Sequence, residues 1–137
     1  MKLCSACLLG VKCRYDGTSK PNKKVLALLE KEVLIPVCTE QLGGLAIPRD
    51  PAERCGDAVV TRQGQDVTEK FIRGAEEVLR IAKLFSVEEV IFKQRSPSCG
   101  CGKIYDGSFS GKIISGDGVT AALLKDNGIK VITEEDL

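Results

Sequence analysis

Seven cysteines and no histidine in 137 residues narrow the chemistry open to this chain. Without histidine there is no Cys–His nucleophilic pair, no Cys2His2 zinc site and no side chain with an ordinary pKa near neutrality. Any metal site must be rich in thiolate, and any proton transfer must use Glu, Asp, Cys, Lys, Tyr or water. Three thiols share a placement: Cys7, Cys38 and Cys99 each come shortly after an apolar run, in LCSAC, LIPVC and EVIFKQRSPSC. Open α/β sheets build their sites at the carboxyl ends of strands, so these three can converge. Three thiolates without imidazole suit an iron–sulfur cluster or a Cys-rich zinc site. Cys13 is available as a fourth ligand that would close the site; if it stays out, one metal is left open to substrate. The competing reading is a set of scattered buried cysteines.

The other candidates are weaker. Cys4 and Cys7 form C-x-x-C, but Cys4 lies inside the first apolar run, where a thiol reads as core rather than redox-active. Cys55 reads as a loop or packing thiol, and Cys101 is close enough to Cys99 to rival it as a ligand. Glu40, two residues after Cys38, is the acid/base candidate, since a carboxylate beside a cluster and partly desolvated can act near neutral pH. Ser96 and Ser98 flank Pro97 and could bond a substrate. Arg14, Tyr15 and Asp16 either line the pocket or pair with one another. Two phosphate-loop look-alikes fail: Gly107–Lys112 has the wrong length for a Walker loop, and Gly100-Cys101-Gly102 lacks the third glycine of a dinucleotide fingerprint.

The elements that must position these groups alternate in type. Lys2–Ala6, Leu34–Val37, Glu89–Phe92 and Lys130–Thr133 read as strands. A helix enters at Ser19–Asn22 and presents Val25, Leu28, Leu29 and Val33. The clearest helix starts at Asp66–Glu69 and runs to about Phe85, with Val67, Phe71, Gly74, Val78 and Ile81 as its stripe. A last helix begins at Asp117–Thr120, turns Val119, Ala122 and Leu123 inward, and stops at Gly128. Gly43–Gly56 reads as loop with one helical turn at Ala52–Arg54, Val59–Thr61 as a small edge strand, and Tyr105–Lys112 as turns around Phe109. Strands alternating with helices imply an α/β, Rossmann-like single domain with a mainly parallel four-stranded sheet covered on both faces.

Composition removes other functions. Hydrophobic content of 43% with 28% charged residues is that of a globular protein. Aromatics make up 4% and the net charge is +1, so neither a stacking platform nor an electrostatic footprint for nucleic acid is present. No apolar run approaches a membrane span, and the opening residues do not form a secretory leader. The expected location is the cytoplasm, where thiols stay reduced.

Several separate blocks then become recognisable: SACLLG with CRYDG and SKPN, PVCTEQLGGL, VTRQGQDVTEKFIRGAEE, RSPSCG, IYDGSFSGK and GVTAALLKDNGI. Together they resemble the thiouracil desulfidase family over nearly the whole chain. The resemblance implies a [4Fe–4S] cluster on Cys7, Cys38 and Cys99, with a fourth iron free for substrate sulfur. It further implies conversion of a thiolated heterocycle such as 2-thiouracil to its oxygen analogue without net redox change. Glu40 would activate water and Ser96 would position or relay a proton. Cys4 and Cys101 stand outside the family pattern and could compete for iron. A non-catalytic zinc or labile iron–sulfur module is the alternative reading.

Overall fold

The computed structural model describes the chain from Met1 to Leu137. Strand β1 (Lys2–Ser5) runs into a 3-10 turn at Ala6–Leu9 and, after a loop, helix α1 (Lys23–Ala27). Strand β2 (Leu34–Val37), the one-turn helix α2 (Thr39–Leu42) and strands β3 (Ala52–Cys55) and β4 (Ala58–Thr61) follow. Then come α3 (Thr68–Leu84), β5 (Glu89–Phe92), β6 (Lys103–Tyr105), β7 (Ile113–Ser115), α4 (Val119–Asp126) and β8 (Lys130–Thr133).

β2, β1, β5 and β8 form one parallel sheet in that order, so the direction of winding reverses between β1 and β5. Alternation along each strand splits the core into two layers, because successive side chains point to opposite faces. Leu3, Val90, Phe92 and Val131 pack with Val78 and Ala82 of α3 and with Ala121 and Leu124 of α4. Cys4, Leu34 and Ile91 point the other way, against Leu8 and Val25. Helices therefore cover both faces, as the strand–helix alternation requires. The pairs β3–β4 and β6–β7 are separate antiparallel hairpins outside this sheet.

Several local expectations are corrected. Ala52–Arg54 is not a helical turn but most of β3, paired residue by residue with β4. The Tyr105–Lys112 turns belong to one loop that closes the β6–β7 hairpin. α1 is capped by the Asn22 side chain, which accepts from Val25 N at 3.1 Å, but it tightens into a 3-10 turn at Leu28–Glu30. Leu29 and Val33 face solvent as a result. On α4 the inward face is Thr120, Ala121 and Leu124, one step away from the expected set. On α3, Ala82 is fully buried where Ile81 was expected, and Ile81 packs at the core's margin.

Candidate active site

Cys7 sits on the 3-10 turn that follows β1, Cys38 comes directly after β2, and Cys99 lies in the loop after β5. These are three carboxyl ends of adjacent parallel strands, beside the point where the winding reverses. All three residues, with Cys13, line one cavity of about 360 Å³. The hairpins supply the opposite wall, with Ala52, Glu53, Arg62, Tyr105 and Phe109 among its residues.

A glycine contact seats the segment that carries Cys38. α2 crosses α3 so closely that a Cβ on Gly74 would overlap the Thr39 carbonyl, and a Cβ on Gly43 would overlap the Lys70 carbonyl. Gly74 thus stands in the middle of an otherwise large-residue stripe because backbone lies on it. Thr39 then reaches the third loop: its hydroxyl is bonded to Ser98 Oγ and lies 3.8 Å from Cys99 Sγ. Ser98 Oγ is 2.9 Å from Thr120 Oγ1, so a buried row of hydroxyls ties α2, the Cys99 loop and α4 together.

The thiols feel burial and one another. Burial pushes Cys7 up to about 11, against the pull of Lys93 and Arg14, and the charge of Cys38 raises it further. Burial pushes Cys99 up to about 12, opposed by hydrogen bonds from Ser5 and Thr39. The hydrogen bond between the Cys13 and Cys38 thiols holds Cys38 low and Cys13 high, and Cys38 Sγ also lies 3.7 Å from the Cys13 carbonyl. Lys93 and Arg14 on Cys7, and Arg49 on Cys38, set positive charge beside these sulfurs, which favours thiolate at the cavity wall.

Glu40 lies in the first turn of α2 and lines the cavity. Its Oε2 accepts from Arg49 Nη2 at 2.9 Å, and the same nitrogen donates to the Cys13 carbonyl at 3.0 Å. Arg49 is only 7% exposed, so this ion pair is well shielded from solvent. Ser96 Oγ accepts from Ser98 N at 3.1 Å and Cys99 N at 3.0 Å. Both acceptor positions of that hydroxyl are taken, and its proton remains as a donor at the cavity wall.

Arg14 and Tyr15 line the cavity, whereas Asp16, Ser98 and Cys101 do not. Asp16 is turned into its own loop, where the Thr18 hydroxyl and N–H bind its carboxylate and lower its pKa. Ser98 is spent in the buried hydroxyl row. Cys101 is pinned by the Gln94 side chain, which accepts from its N–H at 2.8 Å and donates to its carbonyl at 2.9 Å. Its sulfur points at the Val131 carbonyl, away from the cavity, which removes it as a rival to Cys99. Cys4 is fully buried in the same apolar layer as Cys7 and Cys13 but does not line the cavity, and Cys55 is exposed at the end of β3. Arg49, Thr39, Glu53, Tyr105 and Phe109 were not anticipated. Thr39 arrives on the one-turn helix α2 and the others through loop or hairpin geometry, none of which carries a periodic signal.

Cys7, Cys38 and Cys99 offer only sulfur to the cavity, with no histidine in the chain to join them. That all-sulfur donor set is the one iron–sulfur centres use.

Fold and site together define an α/β protein with a cysteine-lined small-molecule site at the switch point of its sheet. The model of the 2-thiouracil desulfurase family matches residues 3–136, and the chain belongs to that family. It is 45% identical to uncharacterized protein YbbK of Bacillus subtilis (strain 168), over 100% of this chain and 97% of YbbK. A solved structure of the [4Fe-4S]-dependent thiouracil desulfidase TudS superposes with a TM-score of 0.94 at 45% identity, covering 99% of this chain and 91% of that one.

Proposed function

We propose that the protein is a [4Fe–4S]-dependent, non-redox desulfidase that removes sulfur from a small thiolated heterocycle such as 2-thiouracil. The observation that carries this is the arrival of Cys7, Cys38 and Cys99 from three strand ends at one cavity that also holds Glu40 and Ser96. The reaction balances as a hydrolysis: the thiocarbonyl and one water give the carbonyl and hydrogen sulfide. Cys7, Cys38 and Cys99 would hold the cluster, with Cys13 beside Cys38 on the same cavity wall. When bound, the cluster supplies a Lewis-acidic iron free of protein thiolate for the substrate sulfur.

The chain's own residues do the rest. Glu40 takes a proton from the attacking water through Oε1, because Oε2 is bound by Arg49. Arg49 fixes the direction in which that carboxylate points. Ser96 presents its O–H to the bound heterocycle or to the departing sulfur, since its lone pairs are already occupied.

The test is protein prepared without oxygen, with iron and acid-labile sulfide counted and sulfide release from 2-thiouracil measured. One cluster per chain and stoichiometric uracil and sulfide are expected. Cluster-loaded protein that releases sulfide from no thiolated heterocycle would refute the proposal.

A further inference from the structure

The chain has six aromatic residues, two tyrosines and four phenylalanines. Phe71 and Phe92 are in the core and Phe85 is exposed at the end of α3. The other three, Tyr15, Tyr105 and Phe109, all line the cavity. In a protein this poor in aromatic residues, half of them facing one cavity matches the flat face of a heteroaromatic ring.

Phe109 is the least ordinary of the three. It belongs to none of the hydrophobic clusters, so it is not there to fill the core. Its φ is +58°, a left-handed conformation that a bulky side chain rarely adopts and that surrounding structure must enforce. The enforcement is visible. Glu53 Oε1, on β3, accepts from Phe109 N at 3.1 Å and from Gly107 N at 3.0 Å. The Asp106 carboxylate accepts from Ser108 N at 2.9 Å, and Asp106 N bonds the Lys112 carbonyl at 3.0 Å to close the loop. The Arg62 guanidinium, also at the cavity, lies over the Phe109 ring, 5.6 Å from its centroid, and adds a cation–π contact that fixes it.

We propose that Phe109 is a specificity-determining residue whose ring packs against the planar heterocycle of the substrate, and that Glu53 is the positioning residue that holds it there. This deepens the desulfidase reading and rests on it. The Glu53 carboxylate ties one hairpin to the other, and the strained backbone at Phe109 delivers the ring to the cavity. The substrate class this favours is flat six-membered thiolated heterocycles over non-planar thioamides or thioureas of similar size.

The test uses cluster-loaded protein. Phe109→Ala should raise KM for 2-thiouracil about tenfold, the scale of one base-on-ring contact, with kcat within threefold and the visible spectrum unchanged. Phe109→Tyr should restore KM to within threefold of the wild type. Glu53→Ala should raise KM in the same sense, while Glu53→Gln, which keeps the acceptor oxygen, should not. Binding of uracil, which lacks the sulfur, is measured in parallel by ligand-detected NMR and should weaken about tenfold in Phe109→Ala. An unchanged KM and unchanged uracil affinity in Phe109→Ala overturn the inference while leaving desulfidase activity standing. If the wild type releases no sulfide, the desulfidase reading fails, and the uracil comparison alone decides whether Phe109 forms a ring-binding wall.

Discussion

Arg49 Nη2 lies 2.9 Å from Glu40 Oε2 and 3.0 Å from the carbonyl oxygen of Cys13, so one guanidinium joins the carboxylate to the loop that carries the fourth cavity thiol. The pair is shielded, with Arg49 side-chain exposure at 7% and Glu40 at 21%. Breaking it leaves a buried guanidinium without its counter-charge, which is costlier than the pair is worth. Two substitutions separate its roles. Glu40→Gln keeps size and a hydrogen-bond acceptor but removes the base; sulfide release at matched cluster content should fall about 10²–10⁴-fold, the usual contribution of a positioned base. Arg49→Lys keeps the charge but loses the second guanidinium arm, Nη1, which donates to the Ala46 carbonyl at 3.3 Å; turnover should fall less, while the hold on Glu40 and the Cys13 carbonyl weakens. Turnover of Glu40→Gln within a few-fold of wild type would remove Glu40 from the mechanism.

Single serine replacements at Cys7, Cys38 and Cys99 should each abolish the cluster's visible absorption, because a serine hydroxyl is a poor substitute for thiolate. Cys55→Ser and Cys101→Ser should retain it, since one sulfur is exposed on β3 and the other faces the Val131 carbonyl. The apo protein should keep its helical circular dichroism, because the apolar side chains on both faces of the sheet, not a metal centre, make up its core. Air-exposed samples should therefore be folded and inactive. Loss of the cluster from Cys101→Ser but not from Cys99→Ser would reassign the third ligand.

The parallel sheet was legible because each of its strands is a short apolar run bounded by breakers, and the stripe of α3 spans enough turns for its phase to be unambiguous. α4 shows the limit of that signal. Its interior, VTAALL, is apolar nearly all round, so periodicity could not say that Thr120, Ala121 and Leu124 face inward. β4 was legible as the edge strand Val59–Thr61, but its partner was not: Ala52-Glu53-Arg54-Cys55 has neither β-branched residues nor clean alternation, and it becomes a strand by pairing with β4. At the site, cysteine type and strand-end placement were readable, but Arg49, between Pro48 and Asp50, is indistinguishable in sequence from any loop arginine. Its importance comes from tertiary proximity alone.

Acid and alkaline stability should be governed by an ion cluster at the amino edge of the sheet. Lys2 Nζ lies 3.0 Å from carboxylate oxygens of both Glu32 and Glu89, and Lys130 Nζ lies 3.3 Å from Glu89. Burial works against the charge on Glu89, but hydrogen bonds from Lys2 and Lys130 outweigh it and lower its pKa. The stabilisation from Glu89 is therefore full above the ordinary carboxylate range and is lost as pH falls through the lowered folded value. For Lys2, the hydrogen bonds its ammonium donates to Glu32 and Glu89 raise the pKa above 10.5. Its contribution is full below that ordinary value and is lost as pH rises through the raised one. Glu89→Gln should cost about 0.5–1 kcal/mol at pH 7, as partly exposed pairs do, and nothing at a pH low enough to protonate Glu89. A difference in melting temperature that persists unchanged at low pH would count against this assignment.

Gly74→Ala tests how the fold positions the site. On helix propensity alone, alanine in the middle of α3 should stabilise by about 1 kcal/mol. The contact with α2 reverses that sign. The new Cβ would overlap the Thr39 carbonyl, which is backbone and cannot rotate away, so one helix must shift against the other. Overpacking of this kind costs about 1–3 kcal/mol, and a rigid backbone partner places it at the upper end. The net expectation is a loss of about 2 kcal/mol, read as a fall in melting temperature. The shift carries Cys38, Thr39 and Glu40 with α2, so cluster retention should drop even in samples that remain fully folded. Gly43→Ala strains the same crossing from the other side, against the Lys70 carbonyl. The double variant should therefore lose less than the sum of the two singles, because one displacement relieves both overlaps. A Gly74→Ala protein as stable as wild type, with its full cluster, would show that α2 is not seated by this contact.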